Sequence, residues 1–224
     1  MPRYGGFADR VAAPESAFAS MPPGLSFAQA STIPQAGAIA AQAVALAAPG
    51  SRMLINGAGG GSGAFAIQLA HAKGVHVTAV DNDAKLAFMR SLGADEVIDY
   101  RRADFTRTGR YDTIVDLVAF RSVFAYRRAL TAGGRCVMVG GTGRALLRML
   151  TVGPLLGLVT GAHLGVLFVR QGPPHFAPVA ELCASGAVDV HIDEIVPLER
   201  LPMALAKHGE GRAMGKVVVA LRDG

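Results

Sequence analysis

The chain has 224 residues, 51% hydrophobic and 17% charged: enough for one large domain or two small ones with a real core, and too apolar to be disordered. Its two cysteines, Cys136 and Cys183, lie far apart, which excludes a disulfide framework and a cysteine-rich zinc site and matches a reducing cytoplasm. The net charge of +5 is dispersed apart from Arg101, Arg102, Arg107 and Arg110, with no interleaved aromatics, so it reads as a solvated surface and excludes a nucleic-acid partner.

The N-terminus, Met1-Pro2-Arg3-Tyr4-Gly5-Gly6, lacks the apolar core of a signal peptide. Residues 1–35 read as irregular, with room for a short strand at Phe7–Ala12 and breaks at Pro14, Pro22, Pro23 and Pro34. Ala36–Ala47, small and apolar, reads as a buried helix closed by Pro49-Gly50. Strands and helices then alternate: strand Met53–Ile55, helix Ala64–Lys73, strand Val75–Val80, helix Asp83–Leu92, and short strand Glu96–Ile98. Strand Thr113–Asp116, helix Val123–Leu130 and strand Arg135–Val139 continue the pattern. Alternation at these spacings implies right-handed βαβ units and an α/β fold with a doubly wound parallel sheet.

Leu146–Val169 is the most apolar stretch and is long enough to cross a bilayer. Arg148 and His163 lie inside it, and Gly153-Pro154, Gly157 and Gly161 interrupt it, so we expect no membrane partner. The expectation is a helix or two over the sheet and a sixth strand at Leu164–Phe168. A helix at Ala177–Ser185, an extended His191–Ile195, a helix at Leu198–His208 and a terminal strand at Lys216–Leu221 complete the chain.

The motif that carries chemistry is Gly57-Ala58-Gly59-Gly60-Gly61-Ser62-Gly63, entered from a strand and left through a helix. Glycine lets backbone approach a diphosphate, and a helix N-terminus supplies free N–H groups at the positive end of its dipole. Gly63 is placed for close helix–strand packing, and Ser62 either caps the helix or donates to phosphate. Asp81, at the end of the second strand, is the acid expected about twenty residues on to bind an adenosine ribose. No Gly-Lys-Ser/Thr follows, which excludes a Walker A loop, and the position of Asp81 fits a dinucleotide better than a methyltransferase cofactor.

These residues, together with Gly5-Gly6-Phe7-Ala8, Pro14-Glu15-Ser16, Ser91 to Tyr100, Tyr111 to Asp116, Ala129 to Gly134 and Gly215 to Val219, resemble the zinc-free, quinone oxidoreductase-like branch of the medium-chain dehydrogenase/reductase superfamily. The resemblance implies a Rossmann domain at 36–172, with remnants of a GroES-like catalytic domain at both termini: a tail at 1–35, and a closing helix with a C-terminal return at 173–224. It implies hydride transfer to a small quinone, enone or carbonyl substrate, and assigns no catalytic residue. Most of the GroES-like domain is missing by this comparison. Three readings stay open: a shortened oxidoreductase, a non-catalytic NAD(P)(H)-binding module, or a fragment of a longer chain.

The cofactor is NAD(H) or NADP(H). Asp81 favours NAD(H), since its charge repels a 2′-phosphate. By the resemblance, Lys85 and Tyr100 match residues near that phosphate in NADPH-using relatives, Arg101 and Arg102 could add positive charge there, and Lys85 reads equally as an exposed helix residue. The resemblance also assigns cofactor contacts to Val118-Ala119, Gly140-Gly141 and Arg212. Zinc is not expected: Gly37–Val44, where zinc-using relatives carry their last catalytic ligand, offers none. Relatives pair the sixth strand across a two-fold axis, which implies a homodimer through Leu164–Phe168.

Overall fold

Once the chain reaches Arg52, each apolar run becomes a parallel strand and each intervening run a helix packed over it. The computed structural model describes residues 7, 8 and 10–221; the Gly5-Gly6 segment of the resemblance lies outside them. The strands are β1 (Arg52–Asn56), β2 (His76–Asp81), β3 (Glu96–Asp99), β4 (Tyr111–Asp116), β5 (Leu130–Met138) and β6 (His163–Val166). They form one six-stranded sheet of order β3-β2-β1-β4-β5-β6, every pair parallel. The order reverses beside β1, which opens a crevice at the carboxyl ends of β1 and β4, where such folds bind ligands.

Helices cover both faces, so the central strands are apolar throughout rather than alternating. On one face α1 (Phe27–Val44), α2 (Gly61–Ala72) and α6 (Pro173–Ala184) enclose Ile33, Ala40, Ile55, Phe65, Ile67 and Val179. On the other, α4 (Val123–Ala129) and α5 (Gly143–Thr160) bury Leu54, Ile114, Tyr126, Leu130 and Met149. The short α3 (Leu86–Ser91) links β2 to β3. After α6 the chain forms β7 (Ile192–Pro197), α7 (Leu201–Gly209) and β8 (Lys216–Ala220), with β7 and β8 paired as a separate parallel ribbon. The α/β doubly wound fold is as expected from the alternation.

Several elements differ from expectation. The first helix begins at Phe27 rather than Ala36 and runs through Pro34. A capping box explains the start: Gln29 N–H donates to Ser26 Oγ at 3.2 Å, and Ser26 N–H to Gln29 Oε1 at 3.0 Å. Burial of Ile33, Ala36, Ala40 and Ala43 offsets the bond that Pro34 cannot donate. The described residues of Phe7–Ala12 form no strand. The fifth strand begins at Leu130 rather than Arg135 and carries a bulge, where the partners of β4 jump from Leu130 to Arg135.

The apolar stretch resolves into one helix, α5, and the last sheet strand ends at Val166 rather than Phe168, which is 76% exposed. Glycine sets how α5 lies: a Cβ at Gly153 would sit 2.8 Å from Leu164 O, and one at Gly157 2.6 Å from Ala162 O. The glycine face therefore packs on β6, and Leu155, Leu158 and Val159 point outward. By length and composition α5 is the one helix among the described residues apolar enough to cross a membrane, and little of it is buried.

Candidate functional site

β1 delivers the glycine loop to the crevice, and each glycine meets a different neighbour. Gly57 adopts φ +81°, and its N–H and that of Ala58 both donate to Val80 O, at 2.9 and 3.1 Å. That turn folds the loop back over β2. A Cβ on Gly63 would enter the backbone of Ala58, so α2 can lie this close only with glycine there. Gly60 is different: its φ is −88°, and a Cβ would meet only Gly57 O at 3.5 Å. The protein tolerates a side chain at position 60, and the crevice in front of it does not stay open if the side chain is large.

Gly60 is also the N-cap of α2, and it has no side chain to satisfy the N–H groups of Gly61, Ser62 and Gly63. Ser62 is not the cap; it sits within the first turn and faces the cleft. These free donors at the positive end of a 12-residue helix are suited to an anion such as a diphosphate.

The cleft in front of them holds about 440 Å³. Gly57, Gly60, Gly61 and Ser62 form one wall, and Asp81, Lys85 and Tyr100 another. Val118 closes the end nearest β4. The C-terminal return supplies the remaining side through His208, Gly211, Ala213 and Gly215. Gly215 N–H donates to Gly59 O at 2.9 Å, so the ribbon is fastened to the loop itself. The Lys216 stem lies across Gly61, and burial lowers its pKa.

Asp81 is largely committed to the protein. Its Oδ2 accepts Gly59 N–H at 3.0 Å, and its Oδ1 accepts Asn82 N–H at 2.9 Å and lies 3.4 Å from Lys85 Nζ. Lys85 is 4% exposed, its stem packed over Gly59, so it is a buried partner of Asp81 rather than a solvent-facing helix residue. The ammonium balances the carboxylate on this wall of the cleft. Asn82 adds a tie to the return, donating to Gly211 O at 3.1 Å.

The remaining expected residues divide. Ala58 is fully buried beneath the loop. Ala119 is buried at φ +53°, and Gly140 and Gly141 pack behind the Leu117–Ala119 turn rather than facing the cleft. Arg212 points away and pairs with Glu210 at 2.6 Å, while its neighbours Gly211 and Ala213 line the cleft. Arg102 pairs with Asp99, and the Arg101 guanidinium stands 5.7 Å from the centre of the Tyr100 ring.

Beneath the site sits a polar centre that the sequence reading missed. Asp116, fully buried at the end of β4, accepts on Oδ1 from Asn56 Nδ2 at 2.8 Å, Val118 N–H at 2.9 Å and Ala119 N–H at 2.6 Å. Its Oδ2 accepts the Tyr126 hydroxyl at 2.7 Å, and burial, then the Asp116 charge, push that phenol well above its ordinary pKa. The carboxylate joins the end of β1 to the Val118 turn, the two edges of the crevice. A buried Asp with a nearby Asn and Tyr leaves no spacing signature, because the partners meet only in three dimensions.

The parallel order and the glycine loop define a Rossmann protein whose residues fit a dinucleotide. Residues 92–219 match the family described as zinc-binding dehydrogenase. The chain belongs to that family, as a quinone oxidoreductase-like member of the medium-chain dehydrogenase/reductase superfamily. It is 29% identical over 228 residues to the chloroplastic quinone-oxidoreductase QR1 of Triphysaria versicolor, covering 96% of this chain and 68% of that one. It is 32% identical over 189 residues to the mitochondrial NAD(P)H oxidoreductase RTN4IP1 of Bos taurus, covering 76% of this chain and 48% of that one. The solved quinone oxidoreductase of Coxiella burnetii superposes with a TM-score of 0.82 at 27% identity, over 91% of this chain and 64% of that one. The chain thus spans between about half and two thirds of the length of these relatives. Although the family description names zinc, no group of three or more His, Cys, Asp or Glu side chains is placed to hold a metal among the described residues.

Proposed function

We propose that this chain binds a nicotinamide dinucleotide along Gly57–Gly63 and acts as a zinc-independent NAD(P)(H) oxidoreductase, transferring hydride to a quinone, enone or carbonyl compound. The observation that carries the reading is the uncapped first turn of α2, opening with Asp81 and Lys85 onto one cleft. The relatives named quinone-oxidoreductase and NAD(P)H oxidoreductase support the same class. The bound coenzyme supplies the hydride. The protein's part is to hold the diphosphate on the N–H groups of Gly61–Gly63 and the adenosine end against Asp81, Lys85 and Tyr100.

Because Lys85 neutralises Asp81, we infer that both coenzymes are accepted and that Lys85 favours the 2′-phosphate of NADP(H). A homodimer through the edge strand fits the same architecture: β6 ends the sheet, and beside it α5 exposes Leu155, Leu158 and Val159. Two free, buried cysteines suit a reducing compartment such as the cytoplasm.

The test separates binding from turnover. Saturable quenching or blue shift of NADPH fluorescence, with oxidation of NADPH by menadione, is expected. Binding without turnover supports the second reading, a non-catalytic NAD(P)(H)-binding module. No binding of either reduced coenzyme at millimolar concentration rules out both.

A further inference from the structure

A second cavity, about 760 Å³, opens between the N-terminal ends of α4 and α5. It adjoins the cofactor cleft, because Phe120 lines both. Its base is apolar, with Val123 and Met138 buried beneath it. Its rim carries three guanidinium groups, Arg121, Arg144 and Arg148.

The electrostatics of the two α5 arginines are unfavourable in the protein alone. Arg144 and Arg148 lie one turn apart on the same face of α5, a spacing at which like charges repel. Arg144 is also in the first turn, where the helix dipole already presents its positive end. Among the described residues neither pairs with a carboxylate, so no protein anion offsets that repulsion. Across the cavity, Arg121 is held by stacking, 4.8 Å from the centre of the Phe120 ring and 5.5 Å from that of Phe105. It forms a long ion pair with Asp104 at 3.8 Å, and its Nε is buried without a hydrogen-bond partner. Repulsion on α5 and the opposed dipole are both relieved by one change, the arrival of an anion.

We propose that this cavity holds the anionic group, carboxylate or phosphate, of an apolar hydride acceptor, an inference that rests on the oxidoreductase reading above. Guanidinium forks bind such groups through paired charge-assisted hydrogen bonds, and the apolar base takes the carbon skeleton next to them. With Phe120 shared, an acceptor anchored at the arginines extends toward the cofactor cleft. Neutral quinones and enones lack the group the arginines are placed to bind.

The experiment is calorimetric titration of the full chain with three redox-inert probes: 2-naphthoate, 2-naphthyl phosphate and neutral 2-naphthamide. At least one anion is expected to bind tenfold or more tightly than the amide, and the tighter anion identifies the acceptor class. The double variant Arg144→Glu/Arg148→Glu changes two exposed side chains. It should abolish the anion preference while its circular dichroism and its NADPH affinity stay unchanged. An amide that binds as tightly as both anions, or a preference that survives the double variant, overturns the proposal. The probes need no coenzyme, so the two readings fail separately. Anion preference without NADPH binding overturns the oxidoreductase reading and leaves an anion site with no hydride acceptor, and NADPH binding without anion preference overturns only the pocket.

Discussion

The backbone N–H of Gly59 donates to the carboxylate of Asp81 at 3.0 Å, so the glycine loop and the second strand are set by one hydrogen bond. The other oxygen of Asp81 faces Lys85 Nζ at 3.4 Å. Loop position and the charge on the Lys85 wall of the cleft are therefore coupled through a single side chain.

That coupling predicts the effect of Lys85→Ala on coenzyme choice. The lysine offers a charge-assisted hydrogen bond to a 2′-phosphate, and losing it leaves the Asp81 charge unbalanced against that phosphate. NADPH affinity should fall by about tenfold or more, while NADH affinity changes by less than about threefold. Fluorescence titration of both reduced coenzymes checks this; equal losses for the two would show that Lys85 does not discriminate.

Asp116 is the buried anchor of the crevice, and Asp116→Asn should be costly. The amide can keep its oxygen toward the three N–H donors only by turning its NH2 to the Tyr126 hydroxyl. The loss of the charged acceptor should cost about 2 kcal/mol, or roughly 4–8 °C in thermal midpoint for a domain of this size. Tyr126→Phe, which removes one of the four donors, should cost only about 1 kcal/mol. Thermal melts followed by circular dichroism test the ranking.

How far the sequence carried the fold and site is visible in these residues. Alternating apolar runs and breakers were sufficient for the six parallel strands, and Gly57, Gly60, Gly61, Ser62 and Asp81, legible together as a motif, do line one cleft. The start of α1 was missed because Pro34 looked like a boundary, while the Ser26–Gln29 capping box that outweighs it was not read. The resemblance assigns a contact to Arg212, yet the chain turns at Gly211 and lines the cleft with Gly211 and Ala213 instead. Asn82, Asp116 and His208 depend on how distant segments meet, which no local pattern encodes.

The outward face of α5 predicts self-association. Leu158 is 84% exposed and Val159 81%, next to the unpaired side of β6. Leu158→Glu combined with Val159→Glu should convert a dimer to monomer in sedimentation velocity at micromolar concentration, with the fold retained. A wild-type chain that sediments only as monomer would contradict this.

Cys183 predicts a loss of stability at high pH. Burial, with the nearby Asp189, raises its thiol to about 11 from an ordinary 9.0. Above pH 9 the unfolded chain gives up this proton while the folded chain keeps it, so stability falls as pH rises through the interval up to about 11. Cys183→Ala removes that contribution, and its thermal midpoint should decline less steeply between pH 9 and 11 than the wild type's. Parallel declines would exclude the thiol as a source.

The most direct measurement is titration of NADPH fluorescence with wild-type protein and with Gly60→Val. Position 60 has an ordinary backbone conformation and space for a Cβ, so the variant should keep the wild-type circular dichroism spectrum and melt within a few degrees of it. Its side chain would stand where the diphosphate approaches the first turn of α2, and saturable binding by the wild type should be weakened at least a hundredfold. Unchanged NADPH affinity in a folded Gly60→Val protein would contradict a coenzyme seated on this loop.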